Sequence, residues 1–181
     1  MCVTSLPQSR PLTRRDLEAV PDDGHRHELI DGCLLVTPSP SVLHQVVSSR
    51  LHGVLDTACP PHLIVFSAPC DVVLGDRTVL QPDLLVTDRA AAVVDEPVTA
   101  PVLVVEILSP STRLVDLHTK RARYEAAGCP AYWVVDPSAP SVISWELRDV
   151  SYVETARVCL EETLVAHVPF EVTVKPAELL R

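Results

Sequence analysis

Two carboxylates stand where the surrounding sequence predicts buried strands. Glu106 lies inside the apolar run 102–108, and Asp83 follows Pro82 directly before the apolar residues 84–86. Because an isolated buried carboxylate is costly, each of them needs a cation or a proton. Two carboxylates from neighbouring strands suit a divalent cation, which prefers oxygen ligands. The alternative is structural, with Asp83 capping a turn and Glu106 paired with an arginine.

A third charged side chain, Lys120, lies on the predicted inward face of a helix over residues 112–127. At about 100° per residue, Leu117, Lys120, Tyr124 and Ala127 share one face of that helix. A short loop joins the helix to the strand of the buried glutamate, so the helix should pack back onto the sheet near both carboxylates. Lys120 can then meet them, because a buried lysine requires a neighbouring anion. The alternative is that Lys120 extends to solvent, as most helical lysines do.

The elements that must position these side chains are predicted from hydrophobic periodicity and turn residues. Asp31-Gly32 predicts a tight hairpin turn, and Pro82 predicts an edge or a bulge in its strand. The order of the elements predicts an α/β or α+β fold, with a mixed β-sheet flanked by helices and an extra C-terminal β-hairpin. Predicted helices cover residues 13–20, 41–59 and 112–127, and predicted strands cover 27–30, 33–36, 63–66, 71–74, 78–86, 102–108, 131–135, 142–147, 152–156 and part of 161–174.

The chain is acidic, with 181 residues and a formal net charge of −9 from 15 basic and 24 acidic residues. Its length suits one domain, 1–181, in which residues 1–12 form a flexible lead. The charge argues against strong non-specific DNA binding, so any contact with nucleic acid would have to be local. No apolar run approaches the ~20 residues of a membrane helix, and no secretory signal is present. The sequence therefore predicts a cytoplasmic protein without membrane contact.

Several enzyme classes are disfavoured because their motifs are missing. The sequence has no G-x-S-x-G nucleophile elbow, no P-loop and no G-x-G-x-x-G,. Its six cysteines contain no C-x-x-C pair, so they are interpreted as reduced thiols and not as disulfides or a zinc site,. His44 and His52 lie eight residues apart on the second helix, where no carboxylate cluster accompanies them. They are interpreted as surface or packing residues.

The order Pro82-Asp83, Glu106 and Lys120 resembles the PD-(D/E)XK nuclease superfamily. Leu108 departs from that pattern, because it stands where the superfamily carries a lysine two residues after the glutamate. Lys120 on the next helix would substitute, as it does in the branch that this chain resembles most, the Uma-type restriction endonuclease family. The motifs that carry this closer resemblance fall within residues 12–147 and are Arg26-His27-Glu28-Leu29-Ile30-Asp31-Gly32, Pro38-Ser39-Pro40, His44-Gln45, Gln81-Pro82-Asp83, Ser109-Pro110-Ser111-Thr112, Lys120-Arg121-Ala122-Arg123-Tyr124 and Tyr132-Trp133-Val134-Val135-Asp136.

The resemblance implies a restriction-endonuclease-like core with a divalent-metal site. Asp83, Glu106 and the main-chain carbonyl of Ile107 would hold Mg²⁺ (or Mn²⁺), and Glu28 would be a further acidic residue of the site. Lys120 would orient or activate water. Such a metal lowers the pKa of its bound water and offsets the charge that builds up on the attacked phosphate. The metal and the carboxylates push the pKa of Lys120 in opposing directions, and the sequence does not decide which push wins.

These residues together predict a nuclease that hydrolyses phosphodiester bonds in nucleic acid, with DNA as the expected substrate. Phosphate contacts are predicted for His44, Arg121, Arg123 and Tyr124, although the basic helix could equally be a solvated face. The rival interpretation is a non-catalytic module that keeps the nuclease fold and binds nucleic acid or a protein. A homodimer is also expected, because two active sites suit the cutting of two strands.

Overall fold

The computed structural model describes residues 10–93 and 96–181, so most of the predicted flexible lead lies outside the described residues. No helix in these two ranges is both long enough and apolar enough to cross a membrane. In chain order the elements are α1 (Arg14–Glu18), β1 (Arg26–Ile30), β2 (Cys33–Thr37), α2 (Val42–Ala58), β3 (Leu63–Ser67), β4 (Val72–Gly75), β5 (Thr78–Leu80), β6 (Leu84–Asp88), β7 (Pro101–Ile107), a π-helix (Val115–Lys120), α3 (Arg121–Ala126), β8 (Ala131–Asp136), β9 (Ser141–Arg148), β10 (Ser151–Cys159), β11 (Leu164–Ala166), β12 (Val172–Val174) and a 3-10 helix (Pro176–Leu180).

A six-stranded mixed sheet lies at the centre of the fold, in the order β10-β9-β8-β7-β6-β3. In this sheet β7 and β8 run parallel, and the other neighbouring pairs are antiparallel. Successive residues of a strand face opposite sides, so Leu103, Val105 and Ile107 of β7 pack with α2, whereas Val104 packs with α3,. Glu106 therefore shares the face of Val104, beneath the π-helix and α3.

Both faces of this sheet are covered. On one face α2 and the β11–β12 hairpin enclose the larger apolar core, and on the other face Tyr124 of α3 packs against Tyr132 and Val134 of β8. The observed fold confirms the predicted class, a mixed sheet flanked by helices with a C-terminal hairpin. Covering both faces also explains why β7 is an almost continuous apolar run.

The segment that was predicted as one strand over residues 78–86 is two strands in two different sheets. β5 joins an antiparallel sheet of order β2-β1-β5-β4, whereas β6 joins the central sheet. The prediction of an edge or a bulge at Pro82 was therefore wrong. Pro82 lacks the N–H that a continuous ladder needs, and the chain changes sheets at Gln81, Pro82 and Asp83,. This break brings β1 and its Glu28 next to Asp83.

The helix predicted over residues 112–127 is helical, but it contains a π-helical segment, Val115–Lys120, before α3 begins. The Tyr132 hydroxyl donates to the main-chain carbonyl of Asp116 at 2.7 Å, and a side chain that bonds to a helix carbonyl competes with the regular helical ladder,. Lys120 and Tyr124 are buried as predicted, whereas Ala127 is exposed and does not belong to the inward face.

Gly32→Ala is expected to lower the free energy of unfolding by at least about 2 kcal/mol. Gly32 has a φ of +81°, and an added Cβ would lie 2.5 Å from Pro11 Cβ and 3.1 Å from Leu12 N. Gly53→Ala in α2 is the matched control, because no atom lies within 4 Å of the new Cβ there, and it should add about 1 kcal/mol,. Urea denaturation of both variants tests this, and equal stabilities would contradict the close approach at Gly32.

Candidate active site

Lys120 is a buried cation that contacts three carboxylates. Its Nζ lies 2.9 Å from Glu28 Oε1, 3.2 Å from Glu106 Oε1 and 3.3 Å from Asp116 Oδ1. Each of these four side chains is at most 2% exposed. The alternative in which Lys120 extends to solvent is thereby excluded, and the cation beside Glu106 is this lysine and not an arginine.

Three different elements supply the side chains around Lys120. Glu28 lies in β1, and its Oε1 also accepts a hydrogen bond from the main-chain N–H of Gln81 at 2.9 Å. Glu106 is the inward residue near the end of β7. Asp116 and Lys120 are four residues apart on the π-helix, so they lie on the same side of it,. The cluster thus links the two sheets to the helix that covers them.

Asp83 forms a second cluster next to the first. Its Oδ1 accepts a hydrogen bond from Arg26 Nη2 at 3.0 Å, and its Oδ2 accepts one from the Ile107 main-chain N–H at 2.8 Å. The same Oδ2 lies 3.1 Å from His44 Nε2. Asp83 is 3% exposed, so this carboxylate is buried among donors from three elements and does not cap a turn.

The pKa values of the two clusters shift in opposite directions. Burial would raise the pKa of Asp83, but His44, Arg26 and the Ile107 amide outweigh it and hold that pKa below its usual range. Burial raises the pKa of Glu106 well above its usual range, and the neighbouring carboxylates add to this against the charge of Lys120. Asp83 is therefore ionised, whereas the Lys120 cluster carries more carboxylates than its one ammonium can balance.

The pKa of Lys120 is the quantity that the sequence left undecided. Burial lowers it, but the charges of Glu106, Glu28 and Asp116 raise it further than burial lowers it. The net pKa lies above the usual lysine value, so the side chain is an ammonium ion throughout the neutral range.

A cavity of about 270 Å³ opens over both clusters. Its walls come from the loop after β2, the start of α2, and the loops after β7 and β8. Its floor is polar and consists of Arg26, Glu28, His44, Asp83, Glu106, Asp116 and Lys120. Arg26 is the most accessible of these charged side chains, at 22% exposure, whereas Glu28, Glu106, Asp116 and Lys120 lie beneath the cavity surface.

The chain matches the family model described as "Uma2: Putative restriction endonuclease" over residues 14–175. The chain belongs to this family. A crystal structure described as that of "a putative nuclease belonging to DUF820 from Anabaena variabilis" matches with a TM-score of 0.74 at 18% identity, covering 94% of this chain and 100% of that chain. At this identity the likeness shows a shared fold. No protein with a curated function matches the chain in sequence.

Membership in the Uma2 family confirms the resemblance that the sequence motifs predicted. Family membership also supports a nuclease-like function in general terms. The roles of individual residues stay predictions.

The predicted phosphate-contact residues fall into two groups in this Uma2 protein. His44 is buried, contacts Asp83 and lines the cavity, so it is not a surface residue, and its contact with a phosphate stays a prediction. Arg121 stacks over Trp145 with 4.8 Å between guanidinium carbon and ring centroid, and Arg123 Nε donates to Asp31 at 2.8 Å. The structure therefore does not bring these two arginines to the cavity.

Tyr124, the fourth predicted phosphate contact, is fully buried in the apolar core beside β8. Burial raises its pKa well above the usual tyrosine value, and the charges of Glu106 and Glu28 add to this. Its hydroxyl does not line the 270 Å³ cavity. Contact with a phosphate therefore stays a prediction, which would require this hydroxyl to become accessible.

Sequence reasoning missed two residues of the site, Arg26 and Asp116. Arg26 stands two residues before Glu28 in β1, so alternation along the strand places both on one face. Asp116 stands four residues before Lys120, a spacing that pairs side chains along a helix. Both spacings were visible in the sequence, but neither residue interrupts an apolar run, which was the signal that identified Glu106 and Asp83.

Proposed function

We propose that this Uma2 protein is a divalent-metal-dependent nuclease that hydrolyses phosphodiester bonds in nucleic acid, with DNA as the expected substrate. The observation that carries the proposal is that Glu28, Asp83, Glu106 and Lys120 all line one cavity. These side chains come from both sheets and from the helix over the central sheet. An ordinary structural domain would gain nothing from burying so many charges, because each of them costs desolvation free energy.

The donor chemistry of the cavity suits a hard divalent cation such as Mg²⁺ (or Mn²⁺). Four buried carboxyl groups face two permanently cationic side chains, Lys120 and Arg26, and the pKa of Glu106 stays raised by burial and by the neighbouring carboxylates. A divalent ion would supply the positive charge that balances the ionised form of Glu106. Glu28 Oε2 is buried and has no hydrogen-bond partner among the described residues. Carboxylate oxygens are also the ligands that these ions prefer. The residues present therefore fit the expected ion in type and charge.

Asp83 and Glu106 would hold the ion together with the main-chain carbonyl of Ile107. The Ile107 N–H points to Asp83, and in an extended strand the N–H and C=O of one residue point to the same side,. A bound divalent ion supplies an activated water at neutral pH and offsets charge on the attacked phosphate. Among the described residues, no group of three or more histidine, cysteine, aspartate or glutamate side chains is already arranged to hold a metal. Binding would therefore require Asp83 to loosen its bonds to Arg26 or His44.

The side chains of this chain would each have a defined task. Lys120, as an ammonium ion, would hold Glu28 and Glu106 in place and add positive charge beside the scissile phosphate. Its raised pKa keeps it protonated near neutral pH, so it cannot accept a proton from water there,. Orienting water is therefore the favoured one of its two predicted roles. Arg26 is 22% exposed beside Asp83 and would contact the phosphate from the cavity side, with His44 next to it.

The rival function is a non-catalytic module that keeps the fold and binds nucleic acid or a protein partner. One observation favours it: Asp83 already has donors on both oxygens, from Arg26, His44 and Ile107. The excess of buried carboxylates around Lys120 favours the enzyme, because a binding module has no use for it. A homodimer and a cytoplasmic location belong to the proposal as expectations that gel filtration and cell fractionation can check.

The nuclease proposal predicts cleavage that depends on a divalent metal. Purified full-length protein should cut plasmid or oligonucleotide substrates in Mg²⁺ or Mn²⁺ and should cut nothing in EDTA. Glu106→Gln should lower turnover by about 10²-fold or more, because the amide lacks the negative charge that would help to hold the divalent ion, and the ion would offset the charge that develops on the phosphate. Glu171→Gln at an exposed position should leave turnover unchanged.

Cleavage that persists in EDTA would contradict the metal mechanism. Binding of nucleic acid without cleavage of any substrate, in either metal, would favour the rival module. Both outcomes need protein that is shown to be folded by circular dichroism, since a misfolded preparation would give neither cleavage nor binding.

A further inference from the structure

A second cavity adjoins the first on the far side of Asp83. It measures about 250 Å³, close to the 270 Å³ of the first. Arg26, His44 and Asp83 line both cavities, so these three side chains lie between them. The residues that the proposed function places at the scissile phosphate thus lie between two separate spaces.

We propose that the substrate is a single nucleic-acid strand that crosses Arg26, His44 and Asp83, with successive nucleotides in the first and second cavities. This inference rests on the proposed nuclease function and names its substrate class. Pockets for drug-sized molecules begin near about 300 Å³, so each cavity suits one base or one sugar-phosphate unit and not a stacked base pair.

The first cavity has an apolar rim above its charged floor. Leu43 is 42% exposed at this rim, and Pro38, Pro40 and Pro110 stand around it. An unpaired base can turn its apolar face onto such a surface, whereas a base within a duplex keeps that face stacked on its neighbours. The rim therefore favours a strand whose bases are free.

The second cavity is polar and differs in chemistry from the first. Gln45, Ser48, Ser49, His52 and Ser67 line it, and Asp83 is its only carboxylate among the described residues. Hydroxyl and amide groups are typical contacts for phosphate and sugar oxygens. This cavity therefore suits the backbone of the next nucleotide, after the strand has passed the shared junction.

The charges of the protein argue against a duplex substrate. Duplex binders neutralise several phosphates with lysine and arginine, but this chain has a net charge of −9,. Within residues 10–93 and 96–181, ten of its fifteen basic residues lie within 4 Å of a carboxylate, namely Arg10, Arg14, Arg26, Arg113, Lys120, Arg123, Arg148, Arg157, Lys175 and Arg181.

One arginine outside those ten lies in the path of the proposed strand. Arg50 lines an open groove together with Gln45 and Ser49 of the second cavity. It can meet one further phosphate as the strand leaves that cavity. Of the described residues, Arg50 is the one arginine in this groove, and a single cation there suits one flexible strand better than the two phosphate backbones of a duplex.

The test compares matched single-stranded and duplex oligonucleotides on the full-length protein. Three fluorescein-labelled substrates are compared: a dT 12-mer, a U 12-mer and the corresponding dT·dA duplex. Cleavage is measured in Mn²⁺, and binding is measured by fluorescence anisotropy in Ca²⁺. We expect at least one of the two single strands to bind about tenfold or more tightly than the duplex and to be cut faster. The ratio of the two single strands identifies DNA or RNA as the natural source.

Two variants test the two cavities separately. Leu43→Ser removes the apolar rim, and Ser49→Glu places a negative charge in the path of the backbone, so each should weaken single-strand binding about tenfold. Val150→Ser and Ala58→Glu are the matched controls, because both positions are exposed and lie outside the two cavities. The controls should bind as the parent does.

Equal binding and cleavage of single strand and duplex would overturn this inference and leave the nuclease proposal intact. Unchanged binding in both Leu43→Ser and Ser49→Glu would also overturn it. If no nucleic acid is cut, the catalytic proposal fails, but a single-strand preference that both variants weaken would still support the strand path. A single-strand substrate needs one active site, so this inference does not depend on the expected homodimer.

Discussion

Lys120→Met is expected to lower the free energy of unfolding by about 3–5 kcal/mol in metal-free buffer, because it leaves buried carboxylates without their cation. Glu28, Glu106 and Asp116 all lie within 3.3 Å of Lys120 Nζ, and methionine keeps the apolar stem without the charge. Urea denaturation at neutral pH in EDTA measures the change.

Two further variants make this stability prediction specific. Lys175→Met removes a lysine that is 32% exposed and contacts surface glutamates, so it should change the free energy of unfolding by less than about 1 kcal/mol,. Adding Glu106→Gln to Lys120→Met should recover part of the lost stability, since it removes one of the unpaired charges. Similar losses in the Lys120 and Lys175 variants would show that the carboxylates around Lys120 do not depend on it.

The buried charged residues were predictable where they interrupt an apolar pattern. Glu106 stands out in the run 102–108 because no covered strand tolerates an isolated carboxylate, and the structure buries it as expected,. Lys120 was predicted from helical periodicity, and its burial is confirmed despite the π-helical segment that ends at it. In both cases a local pattern sufficed, because the cost of burial depends on the immediate neighbours.

The partners of those residues were harder to predict, because they depend on how distant elements pack. Nothing local shows that Arg26 of β1 reaches Asp83, which is 57 residues later in the chain. The contact between His44 and Asp83 was not predicted, because this carboxylate lies on another element and not on the helix of His44. The break at Pro82 was taken for an irregularity within one strand, since the sequence does not show that the two halves join different sheets.

Asp83→Asn is expected to lower nuclease turnover by about 10²- to 10³-fold while the protein stays folded. The amide keeps the size of the carboxylate, and its oxygen can still accept the hydrogen bond from the Ile107 N–H. It loses the charge that pairs with Arg26 and that would help to hold a divalent ion. Initial rates on a labelled oligonucleotide in saturating Mn²⁺ measure the loss, and calorimetry with Mn²⁺ measures binding separately.

Asp88→Asn provides the matched control, because Asp88 ends β6, the strand that follows Asp83, and is exposed. Among the described residues, its side chain accepts only a local hydrogen bond, from the Ala90 N–H. Its turnover and Mn²⁺ affinity should equal those of the parent.

Weakened Mn²⁺ binding together with lost turnover in Asp83→Asn would place Asp83 among the metal ligands. Lost turnover with unchanged Mn²⁺ binding would instead assign Asp83 to the positioning of Arg26 and His44. Unchanged turnover would remove this carboxylate from the mechanism, because Asp83 lines both cavities and a nuclease that used them would depend on its charge.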